Sequence, residues 1–268
     1  MLGIDRMDIN KTHTVLFYNM GGKDTEVSLV RYSAVTDDKG KNYEQIEILA
    51  EAWDENLGGR DLDIVLFNML CDKFNGLKER EGKEDIRSNP RAVKRLFKEV
   101  SKINDVLSAN KNCQVKISEL ADYVSLSTNI ERGQFEDAAK EYFDKVEKPV
   151  HDVLAKAGLS LDDVDIIETI GGGIRVPKVN EILQSLVGHE KLLGVHLNGD
   201  EAMCFGSAFI ASNSSSSFKV RKVFLTQHPQ HSYRVYVTPL SDSDSESPYE
   251  IEYNKNYTLY SKDQDFLG

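Results

Sequence analysis

Little in these 268 residues can staple or anchor a chain. Cysteine occurs three times, at Cys71, Cys113 and Cys204, with no CxxC spacing. The thiols therefore form neither a disulfide framework nor a zinc site, and are expected to be small buried hydrophobes. No run of eighteen apolar residues occurs, which excludes a helical membrane span. Positive charge is in deficit: 33 Lys and Arg against 44 Asp and Glu leave a net charge of -11. That argues against nucleic acid or an anionic membrane as a partner. Signatures of nucleophilic and zinc catalysis are missing. There is no G-x-S-x-G, no H-E-x-x-H and no Walker A or Rossmann fingerprint, and the six histidines (His13, His151, His189, His196, His228, His231) have no metal-ligand spacing. Asp37-Asp38 and Asp162-Asp163 read as turn and cap carboxylates rather than paired catalytic acids.

What is present is the composition of a globular protein, 40% hydrophobic and 29% charged, with chain enough for one large domain or two ordinary ones. The first ten residues have no cationic start, apolar segment or cleavage site, and the last ones follow directly on a β-rich stretch. A fragment of a longer protein is expected. Asn10-Lys11-Thr12, Asn213-Ser214-Ser215 and Asn256-Tyr257-Thr258 are N-glycosylation acceptors, pointing to a secretory-pathway home.

Val15 to Asn19 and Glu26 to Tyr32 read as a hairpin around Met20-Gly21-Gly22-Lys23-Asp24-Thr25, with glycine for close backbone approach. Tyr43 to Trp53 is a further strand, and Gly58-Gly59 breaks the pattern. A helix follows from Asp61 to about Phe74 on a stripe of Ile64, Leu66, Phe67 and Leu70. The clearest helix starts at Asn89 as cap with Pro90 in its first turn, and keeps Val93, Leu96, Phe97, Val100, Ile103 and Leu107 at helical spacing. Gln114 to Ser127 reads as strands. Phe135 to Ala157 reads as one long helix ending at Gly158, kinked or divided by Pro149.

Asp165 to Ile170 is a buried strand running straight into Gly171-Gly172-Gly173, after which Val176-Pro177 opens a helix ending near Gly188. Asp200 to Ala211 is a last helix whose Gly206, Ser207 and Ala208 suit close packing. The expected organisation is a mixed α/β domain over residues 1–212, a linker over 213–222, and the opening strands of an all-β domain over 223–268. Those strands include Tyr233 to Val237 and Tyr249 to Tyr253, around an acidic serine loop at Ser241 to Ser247.

Two features carry chemistry. Gly21-Gly22 and Gly171-Gly172-Gly173 are plain turns or anion sites, where backbone N–H groups approach a phosphate. On the Asn89-capped helix, Ser101, Asn104, Asp105 and Ser108 share one face. That face is either solvated or a hydrogen-bonding wall for a ligand.

Taken together, these pieces resemble the seventy-kilodalton heat-shock chaperones, whose ATPase domain has the actin-like fold. Gly171-Gly172-Gly173-Ile174-Arg175-Val176-Pro177-Lys178 is similar to that family's third phosphate loop, Asn198-Gly199-Asp200-Glu201-Ala202 to its closing nucleotide motif, and Leu57-Gly58-Gly59 to the start of its inserted upper subdomain. Asp8-Ile9-Asn10, Phe17-Tyr18-Asn19-Met20-Gly21, Asn89-Pro90-Arg91-Ala92, Leu107-Ser108-Ala109-Asn110 and Phe218-Lys219-Val220 resemble the large, glucose-regulated branch of the endoplasmic-reticulum lumen. The resemblance implies the second lobe of an actin-like nucleotide-binding domain over 1–212, with the inserted subdomain at about 58–145. It implies ATP or ADP with Mg2+ as cofactor in the intact parent, bound weakly or not at all by one lobe alone. Cofactor-binding residues are then Gly21, Gly22, Lys23, Ser101, Asn104, Ser108, Gly171, Gly172, Gly173, Arg175 and Asp200, and glycans fall on Asn10, Asn213 and Asn256. It further implies nucleotide exchange on a lumenal seventy-kilodalton-type partner chaperone, and holding of unfolded polypeptides.

The departures from the family pattern bear on mechanism. Asn19 stands where the family has the aspartate that positions magnesium-bound water, and an amide neither accepts a proton nor supplies that charge. Lys23 and Asp24 replace a glycine and a threonine. The family's glutamate, lysine and arginine on the adenosine-facing helix align with Ser101, Asn104 and Asp105, and only Ser108 is retained. Hydrogen bonds to charged groups contribute roughly 1.5–3 kcal/mol each, so losing two weakens binding by about 10²- to 10⁴-fold. The linker Phe218-Lys219-Val220-Arg221-Lys222-Val223-Phe224 is basic and apolar where the family's is acidic and leucine-rich. Weak or absent hydrolysis is expected. The other readings of the same residues are an active ATP-hydrolysing chaperone and an actin-like scaffold without nucleotide.

Overall fold

A computed structural model describes residues 11–36, 38–188, 193–217, 220, 222–227, 232–237, 255–261 and 266–267. The expectations placed on Asn10, Asp37, His189, Phe218, Lys219, Arg221, His228, His231, the serine loop at 241–247 and the run at 249–253 lie outside the described residues.

The apolar segments at the start fold as an antiparallel meander. β1 (His13–Met20) pairs with β2 (Thr25–Thr36) in a register that sets Asn19 opposite Glu26 and Met20 opposite Thr25, and β2 pairs with β3 (Asn42–Asp54). Alternation then sorts the side chains. Leu16, Tyr18, Met20, Val27 and Leu29 enter the main core, while Val15, Val30 and Tyr32 form a small cluster of their own. Burial pushes the Tyr18 hydroxyl far above the ordinary phenol range, and its O–H donates to the carbonyl of Val146 (3.1 Å).

Helix α1 (Gly59–Asn75) buries Leu62, Leu66, Phe67, Leu70, Cys71 and Phe74. Ile64, placed in the apolar stripe on sequence grounds, is 40% exposed, because Leu62 and Leu66 hold the inward face. Helix α2 (Pro90–Ala109) follows its expected cap: Asn89 Oδ1 accepts from the N–H groups of Arg91 and Ala92 (both 3.1 Å). Leu96, Val100, Ile103 and Leu107 are buried, whereas Phe97 sits at the stripe's margin, stacked on Phe67 with centroids 4.4 Å apart. β4 (Asn112–Ala121) and β5 (Val124–Glu131) make a separate hairpin that α2 packs on.

The single long helix expected over 135–157 is three short ones: α3 (Arg132–Ala138), α4 (Lys140–Phe143) and α5 (Lys148–Ala157). Pro149 lies in the first turn of α5, where its missing N–H breaks no helical bond; of the two expected outcomes the stretch is divided there and not kinked. Gly158, with φ +66, ends it. α5 packs on β2 and β3.

β6 (Ile166–Ile170) runs parallel to β1, and β7 (Leu193–Gly194) parallel to β6. Between them lie a 3-10 turn at Gly172–Arg175 and α6 (Pro177–Val187). Helix α7 (Ala202–Ser214) differs from expectation. It extends through Asn213 and Ser214, read as linker, and buries no residue, with Met203, Phe205 and Ile210 at least half exposed. A Cβ on Gly206 would meet nothing within 4 Å, and Ser207 and Ala208 are exposed. Cys204, on this helix, is exposed, against two buried cysteines elsewhere.

β8 (Val223–Gln227) pairs parallel with β3, Glu44 opposite Val223. With β11 (Phe266–Leu267) it completes a seven-stranded sheet of order β11-β8-β3-β2-β1-β6-β7. The sequence read Val223 as the opening of a separate β domain; here the strand joins the main sheet, between β3 and β11. Asn213 fixes its start: the side-chain NH2 donates to the carbonyl of Val223, and the N–H of Val223 donates to Asn213 Oδ1 (3.1 Å). β9 (Tyr233–Val237) and β10 (Lys255–Tyr260) form a two-stranded ribbon in which Asn256 faces Tyr236.

Candidate functional site

Three glycine turns, far apart in sequence, meet at one end of the sheet. The hairpin turn closes through Gly21 N–H to the carbonyl of Asp24 (2.9 Å) and then sits on the start of α1. The N–H groups of Gly59 and Arg60 donate to the carbonyls of Gly21 (2.9 Å) and Gly22 (2.7 Å). These are first-turn donors that no helical carbonyl can satisfy, so the helix start serves to hold the turn. Asp61 closes the same helix start, its Oδ2 accepting from Gly58 N–H (2.8 Å), and Thr25 Oγ1 donates to the carbonyl of Leu57 (2.6 Å). Contact is so close that a Cβ on Gly58 would lie 2.5 Å from the carbonyl carbon of Lys23. The third turn approaches from β6. Gly171 has φ +90, and a Cβ there would lie 2.3 Å from the carbonyl oxygen of Met20. No other residue fits either position.

Around these turns opens a cleft of about 610 Å3 whose walls include Gly21, Gly22 and Lys23 from the hairpin, Arg60 and Asp63 from α1, Phe97, Asn104, Asp105 and Ser108 from α2, and Gly172, Gly173 and Arg175 from the third turn. Of the eleven expected site residues it brings together Gly21, Gly22, Lys23, Asn104, Ser108, Gly172, Gly173 and Arg175. Gly171 lies behind the wall against Met20, and Ser101 is exposed on α2 and does not line the cleft. Asp200 reaches the rim through Arg175, with Oδ2 3.4 Å from the guanidinium and both side chains exposed.

Sequence reasoning missed Arg60, Asp63 and Phe97. A signal existed for the first two: a helix opening directly on Gly58-Gly59 presents its residues two and five positions on toward whatever the glycines approach. For Phe97 the only signal was its place at the edge of an apolar stripe.

The α2 wall is bonded to its own surroundings. Asn104 Nδ2 donates to Asp63 Oδ1, and Ser108 Oγ donates to the carbonyl of Asp105 (2.7 Å). Half-burial raises the Asp63 carboxyl above the usual range, with the Asn104 bond and the charge of Arg60 opposing. Cations predominate in the cleft, Lys23, Arg60 and Arg175 against Asp63 and Asp105, so an anion is favoured near the turns. Asn19 lies beneath, its amide making a long contact (3.5 Å) with Glu26 Oε2. Among the described residues no group of three or more His, Cys, Asp or Glu side chains can hold a metal ion, and no helix is long and apolar enough to cross a membrane.

Comparison with known proteins bears on this cleft. The family model described as "Hsp70 protein" matches residues 2–242. The chain is 36% identical over 217 residues to "Hypoxia up-regulated protein 1" of Mus musculus, covering 81% of this chain and 22% of that protein. It is 35% identical over 218 residues to the Xenopus tropicalis protein of the same name (81% and 33%). With "Heat shock 70 kDa protein 17" of Arabidopsis thaliana it shares 34% over 223 residues (82% and 25%). The chain thus spans between about a fifth and a third of the length of these relatives.

Proposed function

This chain belongs to the Hsp70 family, and on that premise we propose that its cleft is half of a nucleotide site, taking the phosphates of ATP or ADP against the glycine turns, in a lumenal chaperone that promotes nucleotide exchange on a seventy-kilodalton-type partner. The observation that carries the reading is the convergence of Gly21-Gly22 and Gly172-Gly173 on one cleft with Lys23 and Arg175 at its edge. Turns without side chains let backbone approach a polyphosphate, and two cations supply the charge. The residues fit phosphate better than free magnesium: with Asn19 an amide, the described residues offer no carboxylate cluster. Mg2+ accordingly belongs to the nucleotide complex rather than to a dedicated cage.

Asn19 and the inward bonds of Asn104 and Ser108 favour exchange or holding over hydrolysis. A ligand site buries most of its ligand between its walls, so one lobe alone binds weakly and full affinity needs both. The endoplasmic-reticulum lumen is proposed from the likeness to the glucose-regulated branch and from the acceptor sequences at Asn10, Asn213 and Asn256. Unfolded polypeptides are proposed as clients of the whole protein. A second reading, an actin-like scaffold without nucleotide, draws on the Asn104–Asp63 bond.

Release of labelled ADP from the lumenal partner chaperone, with this chain and then the full-length protein in excess, tests the exchange reading. Acceleration is expected with the full-length protein and, if the second lobe suffices, with the chain. A release rate unchanged by either contradicts it.

A further inference from the structure

Strand β6 carries a carboxylate in an otherwise apolar and Thr-containing run. Glu168 is fully buried, and a carboxylate taken out of water is costly unless its oxygens are bonded. One residue bonds both. The backbone N–H of His196 donates to Oε2 (3.1 Å), and Nδ1–H of the same residue donates to Oε1 (2.5 Å). The adjoining strand is shaped around this carboxylate: a Cβ on Gly194 would lie 2.1 Å from Oε1. Thr169 Oγ1 adds a bond to the carbonyl of Gly194 (3.1 Å). The His196 side chain remains 70% exposed, so the pair does little to bury the ring. It fixes the backbone that follows.

That backbone is the turn beside the cleft. Asn198 Oδ1 accepts from Asp200 N–H (3.0 Å), and the Asn198 carbonyl accepts from the N–H groups of Glu201 (3.2 Å) and Ala202 (2.8 Å). Gly199 comes so close to the third glycine turn that a Cβ on it would be 3.6 Å from Gly171 N, and Asp200 reaches Arg175. Among the described residues, β7 pairs with β6 at Leu193 and Gly194, a short ladder to hold the segment that follows. We propose that Glu168, acting through His196, is a positioning residue that holds the 198–201 turn against the Gly171–Gly173 loop and so keeps the cleft's edge, Arg175 included, in place for nucleotide. The second half of this statement rests on the nucleotide reading above; the first does not.

Two measurements separate them. Hydrogen exchange in this chain reads the turn directly. Glu168→Val removes both bonds while keeping the strand apolar, and the amides of Asp200, Glu201 and Ala202 are expected to exchange about tenfold faster or more, the loss of two hydrogen bonds. The amides of Val15 and Val30 should not change. Glu168→Gln, whose amide oxygen still accepts from His196 N–H and whose NH2 can face a neutral ring, is expected to behave as the wild type. His196→Ala, at an exposed side chain, provides a partial loss if Glu168→Val folds poorly, and His196→Asn restores it. Unchanged exchange at residues 200–202 in both Glu168→Val and His196→Ala overturns the proposal, as does acceleration spread evenly over the sheet.

MgADP titrated into the full-length protein then reads the consequence, with affinity about tenfold weaker in Glu168→Val and restored in Glu168→Gln. Equal affinity in wild type and Glu168→Val overturns the second half of the proposal, that the turn keeps the cleft's edge in place for nucleotide. No MgADP binding by wild type, with the turn still released by Glu168→Val, sinks the nucleotide reading and leaves the positioning of the turn supported.

Discussion

The glycine turns and helix α2 face the same cleft, yet the turns are fixed by backbone contact while α2 is held by its buried apolar stripe and meets the cleft with side chains that bond protein groups. At the turns, Gly58 and Gly171 admit no side chain, and the carbonyls of Gly21 and Gly22 are held by α1. Such a bed cannot drift in sequence without losing its shape. On α2, Asn104 bonds Asp63 and Ser108 bonds its own helix, so the helix keeps its place while its polar groups lose their orientation toward a ligand. On the nucleotide reading proposed above, phosphate recognition is built into the chain trace, and base recognition hangs on a few exchangeable side chains.

The largest effect that can break this comparison is steric. Gly58→Ala, with a Cβ 2.5 Å from backbone of Lys23, is expected to destabilise the chain by about 3 kcal/mol or more. Gly22→Ala, whose Cβ meets nothing within 4 Å, should change stability by less than about 0.5 kcal/mol. Urea unfolding of the two variants checks it, and equal losses would mean that the bed is not fixed by contact. A smaller effect belongs to the other wall. Asp105→Arg exchanges a negative for a positive side chain in the cleft and should tighten MgADP binding by the full-length protein about tenfold, read by calorimetry; no gain would mean that α2 does not face the nucleotide.

The smallest effect is a pH dependence. Burial raises the folded-state pKa of Asp63, so the folded state binds its proton more tightly than the unfolded one and this carboxyl destabilises the fold when ionised. Asp63→Asn keeps an acceptor for Asn104 and removes the charge. It should melt above wild type at pH 7, with the difference shrinking as pH falls through the carboxylate range. A difference that grows on acidification would reverse the sign assigned to Asp63.

Local signals carried most of the architecture. Asn89-Pro90 starts α2, Gly21-Gly22 turns the hairpin and Gly158 stops α5, because each depends on a cap, a turn or a left-handed φ within a few residues. The hidden features are contacts between distant segments. That Gly58 underlies the hairpin, that Asn104 bonds Asp63 and that Glu168 is bonded by His196 each require two stretches to be placed in space first. Pro149, expected to kink or divide a helix, leaves it divided, because it falls in the first turn of α5. α7 differs from expectation: its small and apolar residues read as packed, and none of them is buried among the described residues.

In the proposed site, phosphate lies against the third glycine turn. Gly172 lines the cleft, and a Cβ there meets nothing within 4 Å, so Gly172→Leu should fold as wild type while placing its side chain where phosphate would sit. Thermal melting of the full-length protein with and without MgADP tests this directly. A rise in Tm with nucleotide in wild type, absent in Gly172→Leu at an unchanged nucleotide-free Tm, is predicted. An equal rise in both, or none in wild type, contradicts the account.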